Sequence, residues 1–223
     1  MTDQQDLAKT MLAEHALSLL EGHRVIGLGA GSTVMKVIDA IAASKRVLPT
    51  VIVASLATLD RCRSSGIEAE LMQSVSHIDL YIDGADEVDS SFCCIKGKGG
   101  AMTGEKLCAE MAAEFIVLVD QTKLVQSLGS HWPVIAIEVV PWARSSVGRA
   151  IVKLGGKPVL RAEKSDMGNE IIDCHGLDFA APYTLSDRLN QITGVVAHGL
   201  FVHEKPTQVF SSDGNTVKAL TIE

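Results

Sequence analysis

A short acidic segment in the first half of the chain carries the residue types that proton transfer requires. Residues 83–89 read DGADEVD and come directly after the apolar residues 80–82. Open α/β sheets place their sites at the carboxyl ends of strands, so Asp83 and Asp86 are candidate acid–base groups. Two alternatives stay open, a divalent-metal loop and an ordinary solvated turn, although the EF-hand spacing of acidic residues is missing.

A glycine-dense segment that contains lysines follows the acidic one. Residues 95–106 read IKGKGGAMTGEK, and Glu105 falls in the first turn of the helix that the pattern predicts. An acidic residue at that place could simply complement the helix dipole. Together with Lys96 and the preceding carboxylates, it could instead move a proton beside the carbonyl group of a phosphorylated substrate.

A third segment near the N-terminus is suited to bind an anion. Residues 27–33 read GLGAGST and follow a short apolar run. Glycines at a strand-to-helix turn let backbone N–H groups approach an anion, and the helix N-terminus adds positive potential. We expect Ser32 or Thr33 to cap that helix. The spacing matches neither the dinucleotide-binding fingerprint nor a P-loop, so a phosphate or ribosyl site and a purely structural turn both remain open.

Alternating strands and helices would bring these three segments together. Apolar runs predict strands at residues 24–28, 51–54, 67–72, 80–82 and 115–119. Helical patterns predict helices at residues 7–20, 34–43, 59–65 and 105–113. The alternation predicts an α/β fold with a parallel sheet and helices on both faces. In the first helix, the apolar stripe predicts burial of Leu7, Met11, Leu12, His15, Ala16 and Leu19.

The pattern changes after about residue 128. Short strands and helices predict a smaller α+β unit, with strands at 134–139, 158–161 and 171–173 and helices at 145–154 and 187–192. The tail, with short strands near 200–202, 209–210 and 217–222, is expected to return to the first unit. The predicted division is therefore residues 1–128 plus 200–223 for one domain and residues 129–199 for the second.

Composition narrows the class of protein further. The chain has 223 residues, 47% hydrophobic, with a formal net charge of -7, which fits a globular protein and argues against non-specific nucleic-acid binding. The five cysteines form no CxxC pair, which is typical of thiols in a reducing cytosol. No signal peptide and no membrane span is evident, and the histidines show no metal-binding spacing. We expect a cytoplasmic protein without membrane, nucleic-acid or metal partners.

Four segments together resemble one enzyme family, ribose-5-phosphate isomerase A. Three are the segments described above, and the fourth, residues 141–158, reads PWARSSVGRAIVKLGGKP. The resemblance continues through residues 165–176 and 194–201 and covers essentially the whole chain. It implies a Rossmann-like domain with a smaller α+β domain, and a homo-oligomer, either a dimer or a tetramer. It also implies interconversion of ribose 5-phosphate and ribulose 5-phosphate through an enediolate, in the non-oxidative pentose phosphate pathway, without metal or cofactor.

The resemblance also implies a role for each matching residue. Glu105 matches the catalytic base, and Lys96 matches a lysine near the reacting oxygens. Asp83 matches an acid that opens the furanose ring, and Asp86 matches its companion. The implied substrate-binding residues are Gly29, Gly31, Ser32, Thr33, Gly97, Gly99, Gly100 and Lys123.

Three positions depart from the family pattern. Ala30 stands where the family usually has Thr, and Lys98 stands where it usually has Gly. If residue 98 needs a positive φ, Lys98 would be strained. Ala8 stands where some members have a phosphate-binding lysine, and Lys9 is adjacent to it. The alternatives that we considered are another phosphosugar enzyme, a sugar-phosphate sensor and a nicotinamide-binding dehydrogenase.

Overall fold

The computed structural model describes residues 3–222. The α-helices of this part are α1 (Asp3–Leu19), α2 (Gly31–Ser44), α3 (Leu56–Ser64), α4 (Met102–Met111), α5 (Arg144–Lys153) and α6 (Pro182–Asn190). The first strands are β1 (Val25–Leu28), β2 (Thr50–Val53), β3 (Glu70–Leu71), β4 (Ile78–Asp83), β5 (Glu87–Val88), β6 (Cys94–Ile95) and β7 (Ala112–Asp120). The later strands are β8 (Val134–Val139), β9 (Lys157–Lys164), β10 (Glu170–His175), β11 (Val195–His198), β12 (Leu200–Phe201), β13 (Gln208–Ser212) and β14 (Val217–Ala219).

The largest sheet confirms the predicted α/β class. Its seven strands have the order β14-β13-β7-β4-β1-β2-β3. All neighbours pair in parallel except β14, which pairs antiparallel with β13 at the edge. The six parallel strands have the doubly wound Rossmann order, and the chain changes direction between β1 and β4. Such a switch point is where open α/β sheets bind ligands.

The two faces of strand β4 explain how the sheet positions the site. Leu80 and Ile82 pack into an apolar cluster with α1 and α2. Tyr81 points to the opposite face and packs with Cys108 of α4. Because side chains alternate along a strand, Asp83 leaves β4 on the same face as Tyr81, toward α4.

Two smaller sheets complete the fold. An antiparallel sheet with the order β11-β8-β10-β9 is covered by apolar residues of α5 and α6, which form their own buried cluster. A three-stranded sheet with the order β12-β6-β5 connects the region after β4 with the returning C-terminal segment. Strand β6 ends directly before Lys96, so this small sheet carries that lysine to the switch point.

The N-terminal helix is rotated relative to the sequence prediction. Leu7 is 54% exposed, whereas Ala8 and Lys9 are buried together with Leu12, Ala13 and Ala16. His15 is half-buried and its ring lies 4.6 Å from that of Phe210, which agrees with the expected packing role. The rotation matters because it turns Lys9, rather than Leu7, toward the sheet.

Several element boundaries also differ from the predictions. Helix α4 begins at Met102 rather than at residue 105, and α6 begins at Pro182 rather than at 187. Proline is favoured in the first helical turn because its missing N–H is not needed there. The strand predicted at 67–72 is reduced to Glu70–Leu71, because a 3-10 turn begins at Met72.

Candidate active site

The carboxylate of Asp83 is fully buried at the end of β4 and meets four donors. Its Oδ1 accepts hydrogen bonds from the backbone N–H groups of Ala30, at 3.0 Å, and Gly84, at 2.7 Å. Its Oδ2 accepts a hydrogen bond from the Tyr81 hydroxyl at 2.5 Å and lies 2.8 Å from Lys96 Nζ. A carboxylate has about four lone-pair positions, so all the acceptor positions of Asp83 are occupied.

The ammonium group of Lys96 lies between two carboxylates. Its Nζ is 2.8 Å from Asp83 Oδ2 and 3.5 Å from Glu105 Oε1. It also donates a hydrogen bond to the carbonyl of Gly84 and lies 5.6 Å from the centre of the Phe201 ring. Burial alone would lower the pKa of Lys96, but the two carboxylates outweigh burial and raise it. Lys96 therefore remains a cation.

Glu105 projects from the first turn of α4 and is only 5% exposed. Burial raises the pKa of its carboxyl, and so do Asp83 and Asp86, whereas Lys96 lowers it. The balance places the pKa at about 8. Its Oε2 is buried and has no hydrogen-bond partner among the described residues. A carboxylate with a pKa near neutrality and a vacant oxygen is suited to accept and return a proton.

Nine of the residues proposed from the sequence line one cleft of about 460 Å³, although three others do not. The lining includes Gly31, Ser32, Thr33, Asp86, Lys96, Gly97, Gly99, Glu105 and Lys123. Asp83, Gly29 and Gly100 lie outside this lining. Asp83 lies next to the lining, in contact with Lys96 and with the backbone N–H groups of Ala30 and Gly84, which do line the cleft.

Steric constraints explain why glycine occupies three of the positions at or next to the cleft. A Cβ on Gly29 would lie 1.9 Å from Cγ of Asp83, so Gly29 lets the buried carboxylate approach the turn. Gly97 and Gly100 have φ values of 95° and 79°, which non-glycine residues rarely adopt. These two glycines shape the loop that follows Lys96.

The φ of Lys98 is not positive, so the condition under which this residue would be strained is not met. Its backbone N–H donates a hydrogen bond to Asp86 Oδ2 at 3.1 Å. Its ammonium lies 4.1 Å from the centre of the Trp132 ring, at the rim of the cleft. Lys98 therefore brings no strain from a positive φ and adds a cation to the lining of the cleft.

The opposite end of the cleft is formed by the start of α2 and by two lysines. Lys9 Nζ donates a hydrogen bond to Ser32 Oγ at 2.9 Å, and both residues line the cleft with Lys123. Ala30 precedes the helix, so the prediction that Ser32 or Thr33 caps it was wrong: both belong to its first turn. The hydroxyls are thereby directed into the cleft rather than to the helix backbone. Lys9, next to the buried Ala8, thus brings an ammonium group to this part of the cleft.

Sequence reasoning did not propose every polar residue around this site. Tyr81 lies beneath it, and Gln5 and Asp120 line the cleft. Tyr81 could have been inferred, because it lies two residues before Asp83 on a strand and must share its face. Asp120 could have been inferred as well, because it ends β7, the strand predicted from residues 115–119. Gln5 reaches the cleft through long-range packing of α1 and donates a hydrogen bond to Thr122 Oγ1 at 3.1 Å, which no local pattern encodes.

Other kinds of site have little support in the part of the chain that is described. Within residues 3–222, no group of three or more His, Cys, Asp or Glu side chains is arranged to hold a metal ion. No helix in the same range has both the length and the apolar character needed to cross a membrane.

The site combines a buried carboxyl group of raised pKa, a cation beside it and a polar end suited to a phosphate, at the switch point of a doubly wound sheet. Fold and site together define an isomerase of phosphorylated sugars. The family model described as ribose 5-phosphate isomerase A (phosphoriboisomerase A) matches residues 50–215.

Full-length relatives agree with this class. The chain is 43% identical over 213 residues to ribose-5-phosphate isomerase A of Legionella pneumophila (strain Paris), covering 95% of this chain and 98% of that protein. It is 39% identical over 215 residues to that of Acidithiobacillus ferrooxidans (strain ATCC 53993 / BNL-5-31), covering 96% and 97%. The crystal structure of ribose 5 phosphate isomerase A from Neisseria gonorrhoeae superimposes with a TM-score of 0.93 at 33% identity, covering 100% and 99%.

The chain belongs to the ribose-5-phosphate isomerase A family, and its reaction is the interconversion of ribose 5-phosphate and ribulose 5-phosphate.

Proposed function

We propose that the reaction takes place in the 460 Å³ cleft, with Glu105 as the base that carries the proton between C2 and C1. The observation that carries this proposal is the state of the Glu105 carboxyl group. Its Oε2 is buried without a hydrogen-bond partner among the described residues, and its pKa is raised to about 8. A proton bound there is held loosely enough to be returned within one catalytic cycle.

The proton transfer balances without any further reactant. Glu105 removes the proton from C2 of the open aldose, the C1–C2 double bond forms, and the carbonyl oxygen on C1 takes up negative charge. The protonated Glu105 then delivers its proton to C1, while the hydroxyl on C2 loses its proton to the oxygen on C1 and becomes the ketone. A positioned base of this kind contributes about 10²–10⁴-fold to the rate.

Lys96 is the group that we propose to stabilise the enediolate oxygens. Its ammonium is 3.5 Å from Glu105 Oε1, so a substrate that meets the base also meets this cation. The cation is held in place by Asp83 and needs no reorganisation when charge develops. Losing one such preorganised donor commonly costs about 10²–10³-fold in kcat.

Ring opening is assigned to Asp86 rather than to Asp83. Asp86 lines the cleft, whereas Asp83 does not. All four acceptor positions of Asp83 are occupied by Tyr81, Lys96 and two backbone N–H groups. We therefore propose Asp83 as the anion that positions Lys96, which departs from the role that the family resemblance implied.

The phosphate group is proposed to bind at the start of α2. The backbone N–H groups of a helix N-terminus favour an anion. Ser32 and Thr33 add hydroxyl groups, and Lys9 and Lys123 add two ammonium groups on the same wall of the cleft. Gly31, Gly97 and Gly99 also line the cleft, and their backbone N–H groups are proposed as further donors to the substrate.

Hydrogen exchange tests this assignment. Substrate labelled with deuterium at C2 should give ribulose 5-phosphate with part of the label at C1, since one carboxyl group moves the proton. The Glu105→Gln variant should neither transfer the label nor release it to water. Label release by that variant at the wild-type rate would place the base elsewhere in the cleft.

We further propose a cytoplasmic homo-oligomer with two structural units. The five cysteines are all free and buried, which fits a reducing compartment. Trp142 is 99% exposed, and Val140 and Val152 are also exposed on the smaller unit, which suits a contact between subunits. The grouping of strands into separate sheets supports a division into residues 1–128 plus 200–223 and residues 129–199. Sedimentation velocity of the wild type and of Trp142→Glu would test the contact: a single oligomer that dissociates in the variant is expected.

A further inference from the structure

One oxygen of Asp83 is shared between an ammonium group and a phenol. Oδ2 of Asp83 lies 2.8 Å from Lys96 Nζ and 2.5 Å from the hydroxyl of Tyr81. Tyr81 is fully buried and does not line the cleft, so it cannot meet substrate directly. Its hydroxyl can nevertheless influence the reaction through the hydrogen bond to Asp83.

The sequence around Tyr81 fixes its hydroxyl in this position. Alternation along β4 puts the Tyr81 and Asp83 side chains on the same face. The Tyr81 ring lies 4.9 Å from that of Phe115, and a Cβ on Gly27 would be 2.9 Å from it. Packing on both sides therefore leaves the hydroxyl little freedom to find another acceptor.

The surroundings of Tyr81 favour the protonated form of its hydroxyl. Burial, first, and the neighbouring Asp83 carboxylate, second, raise its pKa well above the ordinary value. It is therefore a donor, and it withdraws part of the negative charge from the oxygen that also faces Lys96.

The other titratable groups around this point are few. Glu105 and Cys108 face it from α4, Cys94 and Lys96 face it from β6 and the segment that follows, and Asp86 faces Glu105 from the loop after β4. Burial raises the pKa of Cys108 to about 12 and raises that of Cys94 further, so both thiols stay neutral. The charges that remain are those of Asp83, Lys96, Glu105 and Asp86.

We propose that Tyr81 is a positioning residue for the isomerase reaction, acting through Asp83 on Lys96 and Glu105. By sharing the charge of Asp83, it leaves the Lys96 ammonium more available to the enediolate oxygens. It also weakens the field of Asp83 at Glu105, so the base ionises at a lower pH. The proposal rests on the roles given above to Glu105 and Lys96.

The test is Tyr81→Phe, with the other tyrosine of the chain as the matched control, Tyr183→Phe. We expect kcat to fall about tenfold with KM within twofold of the wild type, since the lost hydroxyl does not touch substrate. The acidic limb of the kcat/KM profile should move to higher pH, because the field of Asp83 at Glu105 is then undiminished. Tyr183→Phe should change neither quantity.

A second measurement keeps the test independent of any packing defect in Tyr81→Phe. In the Tyr183→Phe background, 3-fluorotyrosine labels Tyr81 alone and makes its hydroxyl a stronger donor. The acidic limb should then move to lower pH, opposite to the Phe variant. A limb that stays in place in both proteins would overturn the proposal, even if kcat falls, because a merely structural loss has that result.

Failure of this proposal is distinguishable from failure of the assigned base. If Glu105→Gln is inactive but neither change at Tyr81 moves the acidic limb of the kcat/KM profile, only the role of Tyr81 is wrong. If Glu105→Gln keeps its activity, the base assignment itself fails, and with it the ground for the inference.

Discussion

The ammonium of Lys96 lies 3.5 Å from Oε1 of Glu105, yet the pKa of Glu105 is raised rather than lowered. Burial is the largest influence on that carboxyl group, and Asp83 and Asp86 add to it, so together they exceed the attraction of the lysine. Lys96 is in turn closer to Asp83, at 2.8 Å. The lysine is thus anchored by one carboxylate and leaves the other basic enough to take a proton.

The first prediction concerns pH dependence. A base acts only when it is ionised, and the pKa of Glu105 is raised to about 8. We expect kcat/KM to rise about tenfold in total between pH 7 and pH 10 and to reach half of its plateau near pH 8. Initial rates between pH 7 and pH 10 check this, since the substrate phosphate, with a second pKa of about 6, is fully ionised there. A flat profile over that range would contradict the assignment.

The second prediction concerns stability. Because the pKa of Glu105 is raised in the folded state above its ordinary value of 4.5, the protonated form is favoured by folding. Its stabilising contribution is therefore complete below about pH 4.5 and is lost as the pH rises through 8. Glutamine does not titrate, so the variant lacks this loss of stability. The free energy of unfolding of Glu105→Gln minus that of the wild type should therefore be larger at pH 9 than at pH 5, by at least about 1 kcal/mol. Urea unfolding at both pH values measures this, and parallel pH dependences would refute it.

The third prediction concerns the phosphate end of the cleft. Lys9→Gln removes an ammonium group that lies 2.9 Å from Ser32 Oγ. A charge-assisted hydrogen bond from this ammonium to the substrate phosphate would contribute about 1.5–3 kcal/mol. Its loss should raise KM for ribose 5-phosphate about 10- to 100-fold, while kcat changes little.

Lys36→Gln is the matched control for Lys9→Gln. Lys36 also joins α1 and α2, through Asp6 at 2.9 Å, but it does not line the cleft. Its removal should leave KM within twofold of the wild type. Equal effects of the two substitutions would mean that Lys9 serves helix packing rather than substrate binding.

The fourth prediction concerns Gly29. A methyl group there would lie 1.9 Å from Cγ of Asp83, so Gly29→Ala must displace that carboxylate. We expect a loss of about 1–3 kcal/mol in the free energy of unfolding and at least a tenfold loss in kcat/KM. Gly148→Ala is the control, because its Cβ position meets only Pro158 Cγ, at 3.9 Å, its φ is not positive and it does not line the cleft. An unchanged kcat/KM in Gly29→Ala would show that the position of Asp83 does not matter.

The architecture and most of the cleft residues could be predicted from the sequence, and the reason is physical. The residues that line a switch point follow directly after buried strands, and strands are encoded by local apolar runs, as at Leu80 and Ile82. The rotation of α1 was missed because Ala8, Lys9 and Ala13 are weak hydrophobic signals, and their burial depends on the sheet beneath them. One of the four donors around Asp83, the N–H group of Ala30, is 53 residues away along the chain. No local pattern could therefore reveal that all acceptor positions of this carboxylate are occupied.

The most direct test of the central claim is the rate of ribulose 5-phosphate formation by Glu105→Gln, compared with Glu110→Gln. Both glutamates lie on α4, but Glu110 is exposed and outside the cleft. The account predicts a loss of about 10²–10⁴-fold in kcat for folded Glu105→Gln and a wild-type rate for Glu110→Gln. A Glu105→Gln enzyme that keeps more than about a tenth of the wild-type kcat, well outside that expected loss, would contradict it.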